Sequence, residues 1–219
     1  MVSMQVLMGL PDNLLVSVLR SSQMPLLVQL SRLPQVLHMA SLHAVCPGIA
    51  ADHSLQLGDM KGVFSKQDSE TLGRLFASLL SLQHLDLHGN NFGDEGARAL
   101  GPHLANLSSL QHLNLRGNEM GAEGARVLGP HLASLSSLQH FVFRCNRVGD
   151  EGARALGLRL ANLSSLQSLD IGWNDIGAEG ARALGLHLAS LSSLQHHDLR
   201  GNNLGDKGCL LYASDAADE

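Results

Sequence analysis

From residue 82 onward the chain alternates two hydrophobic rhythms. Leu85 and Leu87 flank a single polar residue, Asp86, which is the period-two pattern of a short half-buried strand with both leucines inward. After Asn90 and Gly93 the rhythm changes. Leu100, Leu104 and Leu107 follow at i, i+4 and i+7, the spacing of an amphipathic helix. The unit then recurs at a constant interval: the leading Leu82 returns as Leu110, Leu138, Leu166 and Leu194. The turn glycine Gly93 returns as Gly121, Gly149, Gly177 and Gly205, and Asn90 as Asn118, Asn146, Asn174 and Asn202. A fixed period in the range of roughly 20–50 residues predicts stacked supersecondary units. Their strands pair in parallel at about 4.8 Å.

Each polar position in the unit has a physical task. Asn90 stands where the chain turns inward, so its amide can satisfy backbone groups that the turn would orphan. Gly93 and Gly96 suit a tight turn and close helix packing. Asp94 is placed to cap the helix that follows, with Glu95 favouring its positive end. Pro102 and Pro130 fall mid-helix, where a missing N–H predicts shorter or bent helices; Leu158 and Leu186 replace them later. A second period lies above the first. Asp94, Ala122, Asp150, Ala178 and Asp206 alternate, as do Asn106, Ser134, Asn162 and Ser190. Residues 82–109 and 110–137 differ at only seven positions, which suits interchangeable scaffold units and argues against one uniquely built catalytic pocket.

The unit L-x-x-L-x-L-x-x-N-x-φ (φ apolar), then G-x-E-G-A-R-A-L-G-x-x-L-A-x-L-S-S, resembles the leucine-rich repeat, and its helical half and long period resemble the ribonuclease-inhibitor subtype. The resemblance covers about 60% of the chain. It implies an α/β leucine-rich repeat solenoid, with a curved parallel sheet on the concave face, helices on the convex face and a small N-terminal helical cap. It also implies that Asn90, Asn118, Asn146, Asn174 and Asn202 form a structural asparagine ladder. The function implied is a non-enzymatic protein–protein interaction scaffold, without cofactor. GTPase activators of the Ran type share the subtype and give a further alternative, with Arg116 and Arg144 as the arginines to test.

Before the array, prolines open three short apolar segments, Leu10–Leu19, Pro25–Leu33 and Pro34–Ala44, each predicted helical. A stack needs such a cap to cover its first hydrophobic face. The run LPDNLLVSVL, followed by His43-Ala44-Val45-Cys46 and Asp52-His53-Ser54-Leu55, also resembles the F-box of ubiquitin-ligase substrate receptors. That resemblance implies an adaptor docking through residues 10–55. The sequence departs from the F-box pattern at Gln56, where tryptophan is usual, and in the length of Ser21–Gln35. Counting one period back from Leu85, Leu100 and Leu104 places Leu57, Leu72 and Phe76 in a degenerate repeat whose strand half is lost. The expected division is therefore 1–58, a helical cap or F-box-like segment, and 59–219, an array of one degenerate, four full and one truncated repeat. At the far end His197 replaces a core leucine, Lys207 replaces the helix-start glutamate, and the chain runs out in Ala213–Glu219.

Composition narrows the function classes. A net charge of −5 with 16% charged residues argues against nucleic acid or a basic membrane surface as partner. No window of about 18 apolar residues is free of polar interruption, so no transmembrane helix is expected. Three cysteines, Cys46, Cys145 and Cys209, are odd in number and far apart, which points to a reducing compartment, and with no basic leader the expected location is cytoplasmic. Asn106-Leu107-Ser108 and Asn162-Leu163-Ser164 fit a glycosylation sequon but read as helix-end polar residues. Cys145 takes a glycine position and Cys209 an alanine position, as small buried or turn residues. No phosphate loop, nucleophile elbow, HExxH or CxxC spacing occurs.

Binding chemistry is left to the outward strand positions, which form three columns. The first is His84, His112, His140, Ser168 and His196; the second Asp86, Asn114, Val142, Asp170 and Asp198; the third His88, Arg116, Arg144, Gly172 and Arg200. Trp173, the only tryptophan, takes the position of Gly89, Gly117, Cys145 and Gly201, and is a candidate hot spot or a cover for the neighbouring turn. Imidazoles one strand apart suggest a shared metal or a face that becomes cationic near pH 6. The column is flat and shows no supporting partners, so no metal is assigned. The acidic and basic columns either read a polar protein surface or satisfy each other.

Overall fold

Alternation of inward leucines with outward polar residues produces short strands, with the central position buried in all but the last. The computed structural model describes residues 54–56, 58–59 and 79–205. Among these, six parallel strands form one sheet in chain order: β1 (Ser54–Gln56), β2 (His84–Asp86), β3 (His112–Asn114), β4 (His140–Val142), β5 (Ser168–Asp170) and β6 (His196–Asp198). Four helices join the last five strands: α1 (Gly93–Leu104), α2 (Ala122–Leu132), α3 (Gly149–Leu160) and α4 (Ala178–Leu188). Each helix packs on the next. Packed helices sit about 8–10 Å apart and paired strands about 4.8 Å apart, so the stack bends toward the sheet, which lines the concave side. The fold is the expected α/β repeat solenoid.

The core lies between sheet and helices. Leu85, Leu113, Phe141 and Leu169 project into it from the strands, and Leu100, Leu128, Leu156 and Leu184 from the helices, all buried. In the middle repeat two phenylalanines replace two leucines, and the rings of Phe141 and Phe143 lie 5.4 Å apart. The inward strand positions of β2 to β5 all hold a buried apolar side chain. His197 departs from them, and it is exposed at the last strand.

The asparagine ladder is present as a run of hydrogen bonds. Asn118 Nδ2 donates to Leu87 O (2.9 Å) and Leu115 O (3.0 Å), and Asn118 Oδ1 accepts the Asn90 N–H at 3.0 Å. Asn146 repeats the pattern, its Oδ1 accepting the N–H groups of Asn118 (3.1 Å) and Met120 (3.0 Å). The next rung is missing. Asn174 Oδ1 is buried without a partner, although Asn174 Nδ2 still donates to Phe143 O at 2.9 Å. The ladder resumes at Asn202, whose Oδ1 accepts the Asn174 N–H at 2.9 Å.

The aspartates of the two-repeat period do not cap their own helices. Asp94 lies inside the first turn of α1, and the residue before that helix, Phe92, is already helical at φ −61°. Its carboxylate crosses to the next repeat instead. Asp94 Oδ1 accepts the N–H groups of Gly121 (2.7 Å) and Gly124 (2.8 Å), the cap and the third helical position of α2. Asp150 Oδ1 does the same for Gly177 (2.6 Å) and Gly180 (3.0 Å) at α4. Helix starts leave such N–H groups unpaired, so one carboxylate oxygen per repeat pair satisfies two of them. Glycine is required at 124 because a Cβ there would lie 2.5 Å from Asp94 Oδ1. The alternation of Asp and Ala is thus the alternation of capping and capped repeats.

Two further expectations are corrected, the shortening of the proline-bearing helices and the start of the first repeat. Helices α1 and α2 contain Pro102 and Pro130 yet run 12 and 11 residues, the same lengths as α3 and α4, which have leucine there. The prolines sit in the last turn, and the carbonyls left without an N–H belong to Arg98 and Arg126, both exposed residues. The first repeat also begins earlier than a constant period places it. Leu55, not Leu57, pairs with Leu85, so β1 keeps its strand and the first repeat is longer than the others by the step from 55 to 57. The sheet therefore begins at Ser54, ahead of the expected boundary at 58/59. The chain divides into compact units Met1–Asp52 and His53–Glu219. The expected helices, the F-box-like run as far as His53, Leu57, Leu72, Phe76, Cys46, Lys207, Cys209 and the C-terminal tail lie outside the described residues, while Ser54 and Leu55 at the end of that run belong to β1.

Candidate functional site

The outward strand residues stand in register across the sheet. His84, His112, His140, Ser168 and His196 are direct cross-strand neighbours, as are Asp86, Asn114, Val142, Asp170 and Asp198. The third column follows because the backbone ladder continues past each strand, with Gly89 N donating to Arg116 O (2.8 Å) and Gly117 N to Arg144 O (2.9 Å). All three columns fall on one face, as the strand period predicts.

Their chemistry differs along the array. In the first column the imidazoles of His84, His112 and His140 stack face to face, with centroids 4.3 and 4.2 Å apart and planes within 15° and 8°. Imidazole lone pairs lie in the ring plane, so an ion in one plane is displaced by a whole ring spacing from the next. Among the described residues, no group of three or more metal-ligating side chains is placed around a common point. Burial lowers the pKa of His112, and the neighbouring charges of His140 and His84 lower it further.

The second column is partly structural. Asp86 Oδ1 accepts the His88 N–H (3.0 Å), Asn114 Oδ1 the Arg116 N–H (3.1 Å), Asp170 Oδ1 the Gly172 N–H (3.0 Å) and Asp198 Oδ1 the Arg200 N–H (2.9 Å). These are local turns from a side chain to the backbone at i+2, which aspartate and asparagine favour. Val142, in the same column, has no acceptor to offer.

Charge in the third column is neutralised at both ends and left open in the middle. His88 is bridged by two carboxylates, Nδ1 to Asp86 Oδ1 (2.8 Å) and Nε2 to Asp59 Oδ2 (3.1 Å). The hydrogen bond to Asp86 is the main cause of its raised pKa, opposed by burial. A constant period hides Asp59 from this site, because it sets that residue against Leu87. At the other end Arg200 forks onto Asp198, Nη2 to Oδ2 at 2.6 Å, and holds that carboxyl down to about 2. Arg116 and Arg144 have no ion-pair partner among the described residues. Asn114 and Val142 occupy the positions where a carboxylate would have served. Arg144 is half-buried, and its Nε is buried without an acceptor. An unsatisfied buried donor costs about 1–3 kcal/mol, so this side chain is held at some cost. At longer range its charge contributes to lowering Asp198.

Trp173 covers the neighbouring turn, the second of its two expected roles. A Cβ on Gly201 would lie 2.4 Å from its indole, so the ring covers the next turn, and still the side chain is 56% exposed. Its backbone adopts φ +54°, a glycine conformation that Cys145 (φ +58°) shares. Non-glycine residues there are sparsely populated and strained. Cys145 is exposed, so it is a turn residue and not a buried one.

The leucine-rich repeat model matches residues 78–101, 106–129, 134–157, 162–185 and 190–211, more than half of the chain. The chain belongs to the leucine-rich repeat family. The matches begin at a constant interval, in register with the strands and helices above. Among curated proteins, none matches the chain. Leucine-rich repeats point to a protein–protein interaction scaffold, and such scaffolds are typically non-enzymatic. No described helix of this leucine-rich repeat chain is long and apolar enough to cross a membrane.

Proposed function

We propose that the chain is a non-enzymatic interaction scaffold that holds a protein partner on its concave sheet face. The observation that supports this best is the distribution of variation on a nearly constant frame. Inward positions, the asparagines and the turn glycines barely change between repeats, while the outward columns carry His, Asp, Asn, Val, Ser and Arg in different combinations. A surface that only had to stay wet would not need a histidine stack, an unpaired arginine pair and a strained, exposed tryptophan side by side. The long constant period and the helices of 11 to 12 residues fit the ribonuclease-inhibitor-like subtype. We place the protein in the cytoplasm, acting on protein and not on nucleic acid or membrane.

The test is affinity purification of the full chain beside the double variant Arg144→Glu/Trp173→Ala. Loss of the recovered partner at an unchanged melting temperature supports the concave face. Retention of the partner by the double variant refutes it.

A second reading is a substrate receptor of a ubiquitin ligase, with residues 10–55 docking an adaptor. It is favoured by the LPDNLLVSVL run and the Val45-Cys46 element that follows it in the sequence. A full-length Leu10→Ala/Pro11→Ala variant that recovers as much ligase adaptor as the parent, or a parent that recovers none, ends this reading. No observation favours GTPase activation.

A further inference from the structure

We propose that the centre of the concave face recognises an acidic segment of the partner, with Arg116 and Arg144 as the carboxylate-binding pair; this rests on the concave face being the binding surface. The inference comes from a mismatch in charge pairing along one column. His88 and Arg200 each have a carboxylate two positions earlier, Asp86 and Asp198, and each is paired with it. Arg116 and Arg144 stand in the same column on adjacent strands, but Asn114 and Val142 take the carboxylate positions. The two central cations are therefore without the partner that the same repeat design supplies elsewhere.

Their surroundings suit a carboxylate-bearing chain. Arginine binds carboxylate side-on through two parallel N–H groups, and Arg144 keeps its Nε–H without any acceptor. Side-on binding through Nε requires that guanidinium to turn out of its buried seat. Beside the pair stand the stacked imidazoles of His112 and His140, which offer N–H donors, and the side chain of Val142, which gives apolar contact. Exposed Trp173 lies one repeat further on and supplies an aromatic anchor. Adjacent strands are about 4.8 Å apart, and long arginine side chains can splay from that spacing to meet carboxylates at i and i+2 of an extended segment, roughly 6.6 Å apart. The chain as a whole is at −5, so general attraction of polyanions does not explain such binding.

Trp173 is the only tryptophan and so reports on the site by its own fluorescence. The probe is a peptide of alternating Glu and Ser with one central Leu, long enough in extended form to cross both arginines and reach the indole. The control replaces every Glu by Gln. The Glu peptide is expected to shift Trp173 emission with at least tenfold tighter binding than the Gln peptide. Arg116→Gln/Arg144→Gln should abolish that preference, and Arg182→Gln should leave it intact, because Arg182 lies on helix α4 and pairs with Glu179. Equal binding of the two peptides, no binding of either, or an undiminished Glu preference in the double glutamine variant overturns the proposal. A partner recovered by the full chain separates this proposal from the reading beneath it. If Arg144→Glu/Trp173→Ala loses the partner while Arg116→Gln/Arg144→Gln keeps it, the acidic segment is refuted and the concave face stands. If both variants keep it, both ideas fail.

Discussion

Asp94 and Asp150 each join two repeats through a single carboxylate oxygen, a residue-scale device that is only half visible in the sequence. The alternation of Asp and Ala from repeat to repeat is plain in the chain, but the direction of the cap is not. A local reading assigns an aspartate at a helix start to its own helix, whereas here the neighbouring helix start lies within reach because the repeats stack. Asp94→Ala should cost about 1 kcal/mol, a fall of about 2–4 °C in melting temperature. Asp94→Asn, which keeps an acceptor, should lose less. Thermal unfolding followed by circular dichroism checks both. Histidines give a pH dependence of opposite signs. His112 and His131 have pKa values lowered chiefly by burial, so the unfolded chain takes up their protons first, and stability falls as pH drops below about 6.5. His88, raised mainly by Asp86, contributes stability below about 6.5 that is lost as pH rises through its higher folded value. Both effects are small, because these side chains are partly solvated. Denaturant midpoints between pH 5 and 8 should show His112→Gln flattening the low side and His88→Gln the high side.

At the scale of elements, strand phase, helix face and the asparagine column are all legible, because each depends on a periodicity that the chain repeats five times. Three things are not. The first strand escapes because its repeat is longer, and a fixed count carries Leu57 into the place of Leu55. The prolines mislead as to length because each falls in the last turn, where the helix has already formed, and helix ends are not marked in the sequence. The gap in the ladder is invisible because Asn146 and Asn174 are the same residue type. That gap makes a prediction. Asn90, Asn118 and Asn174 donate their N–H groups to the next asparagine side chain, and Asn146 does not. In hydrogen exchange the Asn146 amide should exchange faster than the other three. Equal protection at all four would show the ladder to be continuous.

Across the whole molecule, every repeat buries its hydrophobic face only against its neighbours, so stability is shared. Leu113 is 1% exposed at the centre of β3, and Leu113→Asp should place an unpaired carboxylate in that shared core and unfold the array in one transition. Retention of a native melting curve would contradict the inward assignment. The candidate site is legible as a surface: three columns on one face, with Trp173 at the edge. Which of its charges are free is not legible, because the pairing of His88 with Asp59 and of Arg200 with Asp198 depends on side-chain reach. The molecule offers an internal comparison for its central claim. His84, His112 and His140 lie on the sheet face, and His103, His131 and His187 lie in the last turns of three helices, all six partly exposed. Carbethoxylation of histidines, read by mass spectrometry with and without bound partner, compares the two faces in one sample. Partner binding should protect the three histidines of the sheet face and leave the three helix histidines unchanged. Protection of the helix histidines with continued reaction at the sheet face would contradict concave-face binding.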